Sequence, residues 1–129
     1  MNTNDQGVVL DGYDVVSYFT EDRAVRGKAE HNIEHQGAKF YFSTREHQEL
    51  FSASPDKYVP RFEGYCAFGV AAHKMRVPSD PRTFKIYNGG LLLFFNDLHE
   101  GTPVNTKVIW NANEQKLYED ASGIWPTIA

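Results

Sequence analysis

Cys66 is the residue of this sequence whose chemistry most directly suggests a site. It is the single cysteine of the chain, and as a thiolate it could bind a soft metal ion such as Cu(I) or act as a nucleophile. Its neighbours Tyr65, Ala67 and Phe68 are apolar, and such surroundings disfavour the charged thiolate. Free cysteine is also among the residue types most often buried. Two interpretations of Cys66 are therefore open, a functional thiol and a core residue.

His47 is the histidine best placed to act together with Cys66. It shares a helical face with Leu50 and Phe51 at spacings of three and four residues, so its side chain is expected to point inward. An inward histidine is either a core residue with satisfied hydrogen bonds or a ligand. If the apolar segments that carry His47 and Cys66 pack around one pocket, an imidazole and a thiolate would form a site suited to Cu(I).

The remaining histidines are weaker candidates. His73 lies seven residues beyond Cys66, which on a continuous helix separates the two by roughly 10 Å along the axis, too far for a dyad or a shared ion. His31 and His35 are predicted to be surface residues of a strand, where four residues span about 13 Å. His99 is expected to be solvated in a charged loop.

A second candidate site is a ligand pocket lined by side chains with polar tips. Its members would be Tyr13, Asp14, Tyr18, Tyr65 and His73. Packing of the tyrosines in an aromatic core is the competing interpretation. Asp11 and Asp14 could likewise work as paired carboxylates in acid–base chemistry, or be a turn residue beside a helix cap.

Length and composition limit the classes of protein to consider. A chain of 129 residues with 41% apolar and 23% charged residues is typical of one soluble globular domain, here residues 1–129. The formal charge of −4, without a basic cluster, argues against nucleic acid or an anionic membrane as partner. The longest apolar run, Leu91–Phe95, is too short to span a bilayer.

The start of the sequence bears on location. It has neither the positive nor the apolar region of a signal peptide. A cytoplasmic location is therefore expected if Met1 is the native start. A periplasmic or secreted location is expected if a signal peptide was removed.

Hydrophobic spacing and turn residues predict the elements that must position these side chains. Two antiparallel hairpins are indicated, one turning at Gln36–Gly37 and one at Asn88–Gly90. Their four strands are Ala29–His35, Ala38–Phe42, Thr83–Tyr87 and Leu91–Phe95. The last strand is apolar at every position, so both of its faces are expected to be covered.

Short helices complete the prediction. Asp14 is expected to cap a helix over Val15–Phe19, and Ser43 with Glu46 forms a capping-box pattern that opens another. Two further helical segments are Gly64–Ala72, small and apolar, and Lys107–Ala121 near the C-terminus. The predicted fold class is therefore α+β, a small single domain of two hairpins packed with short helices and a C-terminal helix.

Several strings of the sequence together resemble the YHS domain family in its longer, stand-alone form. They occur in the family's order and cover nearly the whole chain. They are Leu10–Phe19, Gln36–Ser43, Leu50–Phe51, Ser54–Tyr58, Arg61–Val70, Asp80–Pro81 and Trp125–Pro126.

The resemblance implies metal binding, with copper as the usual ion. YHS domains occur in heavy-metal transport and handling proteins, in oxygenase subunits and as stand-alone proteins. Shorter, metal-associated members carry a Cys-x-x-x-Cys pair after the second strand of the first hairpin, and the corresponding positions here are Ser43 and His47. The cysteine pair is therefore missing, although the string around Cys66 resembles the family's.

Three hypotheses of function follow. The first is a non-enzymatic YHS-like domain that binds a copper-type metal ion or another small molecule through Cys66 and His47. The remaining ligands would come from a second chain in a homo-oligomer, from water or from an added thiol. The second is a ligand-free protein-interaction module in which Cys66 is a core residue. The third is an enzyme with Cys66 as nucleophile, which needs a base that the local sequence does not offer.

Overall fold

A computed structural model describes all 129 residues and has the predicted α+β class. It contains six α-helices and three antiparallel sheets of two strands each. The strands are β1 (Lys28–His35), β2 (Ala38–Phe42), β3 (Asp80–Tyr87), β4 (Gly90–Phe94), β5 (Asn96–His99) and β6 (Thr102–Asn105). The helices are α1 (Ser17–Thr20), α2 (Arg45–Ala53), α3 (Pro55–Tyr58), α4 (Ala67–His73), α5 (Thr106–Asn111) and α6 (Glu114–Ile128). No helix has the length and apolar character needed to cross a membrane.

All three sheets are hairpins closed by two-residue turns that end in glycine. The turns are Gln36–Gly37, Asn88–Gly89 and Glu100–Gly101, and both residues of each have positive φ. Turns of this kind match the right-handed twist of the paired strands. The first two hairpins confirm the prediction. The third, β5–β6, was not predicted, although its Glu-Gly turn carries the same sequence signal.

Strand β4 forms a wall between two hydrophobic cores. Residues Leu91 to Phe94 are fully buried, which confirms that both faces are covered. Leu91 and Leu93 pack into a core with β2, α1 and α2, while Leu92 and Phe94 face a second core with α4, α5 and α6. Because successive side chains of a strand point to opposite faces, four consecutive apolar residues serve both cores.

The C-terminal segment is two helices where the spacing predicted one. Helix α5 ends at Asn111, and α6 begins at Glu114 and continues to Ile128. It includes Pro126, whose missing N–H leaves a carbonyl one turn earlier without a helical partner. That carbonyl belongs to the exposed residue Ser122, so water can satisfy it.

Helix α2 begins one residue later than the capping-box pattern predicted, at Arg45. Its N-cap is Thr44, whose side-chain oxygen accepts a hydrogen bond from the amide of His47 at 3.1 Å. The hydroxyl and the amide of Ser43 instead donate to the carboxylate of Asp14. A side-chain cap of this kind contributes about 1 kcal/mol to stability, and in this helix Thr44 provides it.

The two-sided burial of β4 is tested by placing a charge on each face. Leu92→Asp and Leu93→Asp are each expected to abolish folding, because either carboxylate would be buried in an apolar core without a partner. Leu98→Asp on β5 is the matched control, since Leu98 is 62% exposed, and its stability should lie within about 0.5 kcal/mol of the wild type. Circular dichroism and denaturant unfolding give the measurement. A folded Leu92→Asp or Leu93→Asp protein would show that the corresponding face of β4 is open.

Candidate functional site

Asp14 is the centre of a buried polar cluster that joins α1 to the end of β2 and the start of α2. The residue is fully buried, and its Oδ1 accepts hydrogen bonds from the amides of Val16 at 2.8 Å and Ser17 at 3.3 Å. Its Oδ2 accepts from the amide of Ser43 at 2.8 Å and from the hydroxyl of Ser43 at 2.7 Å. Asp14 thus binds the first free amides, as predicted, but the helix begins at Ser17 and not at Val15, and Val16 occupies its N-cap position. Through Ser43, the carboxylate also binds the segment between β2 and α2, twenty-nine residues further along the chain.

His47 completes this cluster. Its Nδ1 lies 2.7 Å from Oδ2 of Asp14, so Nδ1 carries a proton that it donates to the carboxylate. Its Nε2 points outward, 3.4 Å from the hydroxyl of Thr20 and 3.8 Å from a carboxylate oxygen of Glu21. The side chain is 13% exposed and borders none of the four cavities of the protein. The cluster therefore holds α1 against the end of β2 and the start of α2. No cavity adjoins it in which a substrate could bind.

Tyr18 is a second buried polar group at the same end of the molecule. Its side chain is fully buried, and its hydroxyl donates a hydrogen bond to the carbonyl of Pro81 at 2.7 Å. Burial raises the pKa of this phenol far above its ordinary value of 10.0, and the nearby Tyr13, Asp80 and Asp14 raise it further. Tyr18 therefore stays neutral in the folded protein and ties α1 to β3.

A separate, strongly apolar cavity lies on the other side of β4, between α4, α5 and the β5–β6 hairpin. Its volume is about 430 Å³, within the range of small-molecule sites. The floor is formed by buried residues of α4 and α5, and the rim by exposed ones. The eleven lining residues are Cys66, Phe68, Gly69, His73, Met75, Val77, Phe95, His99, Val104, Thr106 and Ile109.

Cys66 sits on the floor of this cavity. It is the N-cap of α4, where its Sγ accepts a hydrogen bond from the amide of Gly69 at 3.4 Å. The same Sγ lies 3.3 Å from the hydroxyl of Thr106, which in turn donates to the carbonyl of Phe95 at 2.9 Å. The backbone of Cys66 is fixed by a hydrogen bond from its amide to the carbonyl of Val77 at 2.9 Å. The thiol is thus fully buried and already has polar partners.

Close packing sets the position of this floor. A Cβ atom at Gly69 would lie 2.5 Å from a methyl carbon of Val77, far inside van der Waals contact. A glycine is therefore needed where α4 meets the segment that follows it. The small residues predicted for this helix allow a close approach, and the group that approaches Gly69 is the side chain of Val77.

The structure does not bring Cys66 and His47 together. They share no hydrogen bond and no cavity: His47 belongs to the Asp14 cluster, and Cys66 to the cavity beyond β4. The inward orientation predicted for His47 is found, and it is explained by the buried carboxylate. The predicted apolar face is broken at Leu50, which is 43% exposed.

The alternative pocket of polar-tipped residues is not formed either. Of Tyr13, Asp14, Tyr18, Tyr65 and His73, only His73 lines a cavity. The ring of Tyr13 lies under the guanidinium of Arg26 at 4.7 Å, and the ring of Tyr65 lies 6.4 Å from that of Trp125.

His73 and Cys66 line one cavity, and the predicted separation along the helix, too large for a dyad or a shared ion, does not prevent this. The cavity extends along α4 and reaches both residues, so a ligand can touch both without the two touching each other. Met75 and His99 were missed as lining residues. The signal that could have found His99 is the Glu100–Gly101 turn, which places His99 on a strand.

The metal site implied by the family resemblance does not fit the residues present. No three side chains of histidine, cysteine, aspartate or glutamate come close enough to hold a metal ion. The imidazole nitrogen that faces inward on His47 is occupied by Asp14. A copper ion shared by Cys66 and His47 therefore has no place in this arrangement.

The Asp14 cluster is expected to dominate the stability of the first core. Asp14→Asn should lower the free energy of unfolding by about 3 kcal/mol, because the amide would turn donors towards backbone and hydroxyl groups that already donate. Asp11→Asn, three residues earlier with a side chain that is 64% exposed, should change it by less than about 0.5 kcal/mol. Denaturant unfolding measures both. If both variants changed the free energy of unfolding by the same small amount, the buried carboxylate of Asp14 would not contribute to stability as expected.

The raised pKa of Tyr18 predicts a loss of stability at alkaline pH. The unfolded chain releases this proton near the ordinary pKa of 10.0, whereas the folded protein retains it. The contribution is therefore complete below that pH and is lost progressively as the pH rises above it. Tyr18→Phe should remove this part of the alkaline decline and should cost about 1 kcal/mol at neutral pH, because the carbonyl of Pro81 loses its donor.

Urea unfolding at increasing pH tests this expectation. Tyr41→Phe controls for the loss of a hydroxyl as such, because Tyr41 is half-buried and its hydroxyl makes no hydrogen bond. A Tyr18→Phe protein that declines as steeply as the wild type would assign the alkaline loss to other groups.

Comparison with known proteins adds no relative to this picture. No family model matches the sequence. No curated protein matches it, and no solved structure does.

Proposed function

We propose that this protein is a non-enzymatic, YHS-like domain that binds a small, largely apolar molecule in the cavity above Cys66. The observation that carries the proposal is the cavity itself: about 430 Å³ of space lined by seven hydrophobic residues out of eleven. Apolar clefts of this size with few polar groups are typical of small-molecule sites. The family membership is part of the proposal and rests on the sequence strings alone.

The distribution of exposed hydrophobic side chains supports the same location. Five large hydrophobic residues of the chain are exposed, and two of them, Met75 and Ile109, line the cavity. Leu98 and Val108 directly precede the lining residues His99 and Ile109 in the sequence, but do not themselves line the cavity. A concentration of exposed apolar surface at one place marks an interaction site. A ligand in the cavity would cover part of it.

The surroundings of the thiol favour binding over catalysis. A nucleophilic cysteine needs a base within hydrogen-bond distance and a path for the substrate. The polar contacts of Cys66 Sγ are the amide of Gly69 and the hydroxyl of Thr106, and neither group is a base. We therefore assign Cys66 to the floor of the binding site, with no covalent role.

A soft cation is a second candidate ligand for the same cavity. The observation that favours it is the presence of two sulfur atoms and two imidazoles among the lining residues, from Cys66, Met75, His73 and His99. Thioether, thiolate and imidazole groups suit Cu(I). Such binding would require the side chains to converge, because no metal-binding group of three is present.

The cavity proposal predicts a specific steric effect. Ile109→Trp should weaken binding of a neutral fluorescent probe, N-phenylnaphthylamine, by at least about tenfold, because the larger side chain occupies space that the ligand needs. Val108→Trp is the matched control, since Val108 is 67% exposed and does not line the cavity. Fluorescence titration measures both affinities, and competition with decanol shows whether the site accepts an aliphatic chain.

The outcomes separate the candidates. Absence of probe binding by the wild type, or an equal loss in both tryptophan variants, would contradict the cavity proposal. Stoichiometric Cu(I) binding to reduced protein, lost in Cys66→Ala and in Met75→Ala, would favour the soft cation. With neither ligand bound, a ligand-free interaction module with Cys66 in the core would remain.

A further inference from the structure

The rim of the cavity carries imidazoles that have no hydrogen-bond partner, whereas the floor has no free polar group. Cys66, Gly69 and Thr106 at the floor are buried, whereas His73 and His99 at the rim are exposed. A ligand that enters from solvent therefore passes the two imidazoles and ends against the floor. This arrangement fixes which part of a ligand meets which groups.

The floor has no free polar group for a ligand. Sγ of Cys66 already accepts from Gly69, and the hydroxyl of Thr106 donates to the carbonyl of Phe95. A polar group pushed to the floor would lose its hydrogen bonds to water without replacement, at a substantial cost in free energy. The inner part of the ligand must therefore be apolar.

The rim offers unoccupied hydrogen-bond donors. Neither His73 nor His99 makes a hydrogen bond or ion pair within the protein, in contrast to His47. The ring of His73 contacts Phe68 edge-on, with 6.0 Å between the ring centroids. Lys74, between two lining residues, also pairs with no carboxylate. These groups favour a hydrogen-bond acceptor, most strongly an anionic one.

Two acidic side chains lie near the rim, and neither of them lines the cavity. Oδ1 of Asp97 accepts a hydrogen bond from the amide of Leu98 at 2.7 Å. Glu100 lies in the β5–β6 turn beside His99 and outside the cavity lining. An ammonium head group would therefore find donors at the rim and no lining carboxylate.

From these observations we infer that the ligand is a single-chain amphiphile with a carboxylate head, its chain in the cavity and its head at His73 and His99. This inference rests on the proposed function, because it specifies the ligand of the same cavity. The exposed Met75 and Ile109 at the rim would contact the part of the chain nearest the head. A volume of about 430 Å³ can accommodate a chain of medium length, for which decanoate is the test ligand.

The test compares ligands with the same chain and different heads. Decanoate, decanol and decyltrimethylammonium are titrated against the probe-loaded protein of 129 residues. Decanoate should bind about tenfold more tightly than decanol, the effect of one charge-assisted hydrogen bond, and the ammonium should bind most weakly. In the double variant His73→Gln/His99→Gln the ratio of the decanoate affinity to the decanol affinity should fall from about ten to about one, because the donors that distinguish the two heads are removed. His31→Gln, a half-buried histidine on β1, is the control and should keep the preference.

Each result separates this inference from the proposed function. Binding of decanol and decanoate with equal affinity, or an unchanged preference in the double variant, would overturn the carboxylate inference and leave the apolar cavity standing. Tightest binding of the ammonium would also overturn it. Failure of all three ligands and of the probe would instead refute the proposed function.

Discussion

The structure depends on one strand that is buried on both faces. β4 presents Leu91 and Leu93 to one core and Leu92 and Phe94 to the other, so neither core can form without it. Every hairpin of the protein has two strands only, and such a hairpin is marginally stable by itself. The helices must therefore cover what the small sheets leave open. β4 also fixes the site, because Cys66 bridges to Leu93 in a parallel pairing.

The two polar features of the interior serve different purposes because their hydrogen-bond capacity differs. In the Asp14 cluster, every strong donor that faces the carboxylate is paired with it. A carboxylate whose hydrogen bonds are all made within the protein stabilises the fold, and no donor of the cluster remains free to bind a ligand. At the cavity, the groups at the floor are satisfied among themselves, and the free donors stand at the rim. Free hydrogen-bond donors beside an apolar cavity are suited to binding an amphiphilic ligand.

The contrast between two histidines shows why residue type alone does not identify a site. His47 has the spacing of an inward residue, and the resemblance to the YHS family implied a ligand at its position, yet its Nδ1 is occupied by Asp14 at 2.7 Å. Asp14 is thirty-three residues away from His47 in the sequence, and no local pattern predicts that the two are in contact. His99, in contrast, is placed at the cavity by a hairpin whose turn signal, Glu100–Gly101, is present in the sequence.

The sequence by itself determined the local structure of this protein. Glycine turns set the first two hairpins, the run Leu91–Phe95 required burial on both faces, and Asp14 bound the first free amides near α1, because each depends on conformations and patterns within a few residues. Only the tertiary structure decided the site. The separation of Cys66 from His47 depends on β4 standing between two cores, and the cavity depends on how α4, α5 and the third hairpin pack. Those contacts join residues far apart in the chain, and their geometry follows from the packing of the whole molecule.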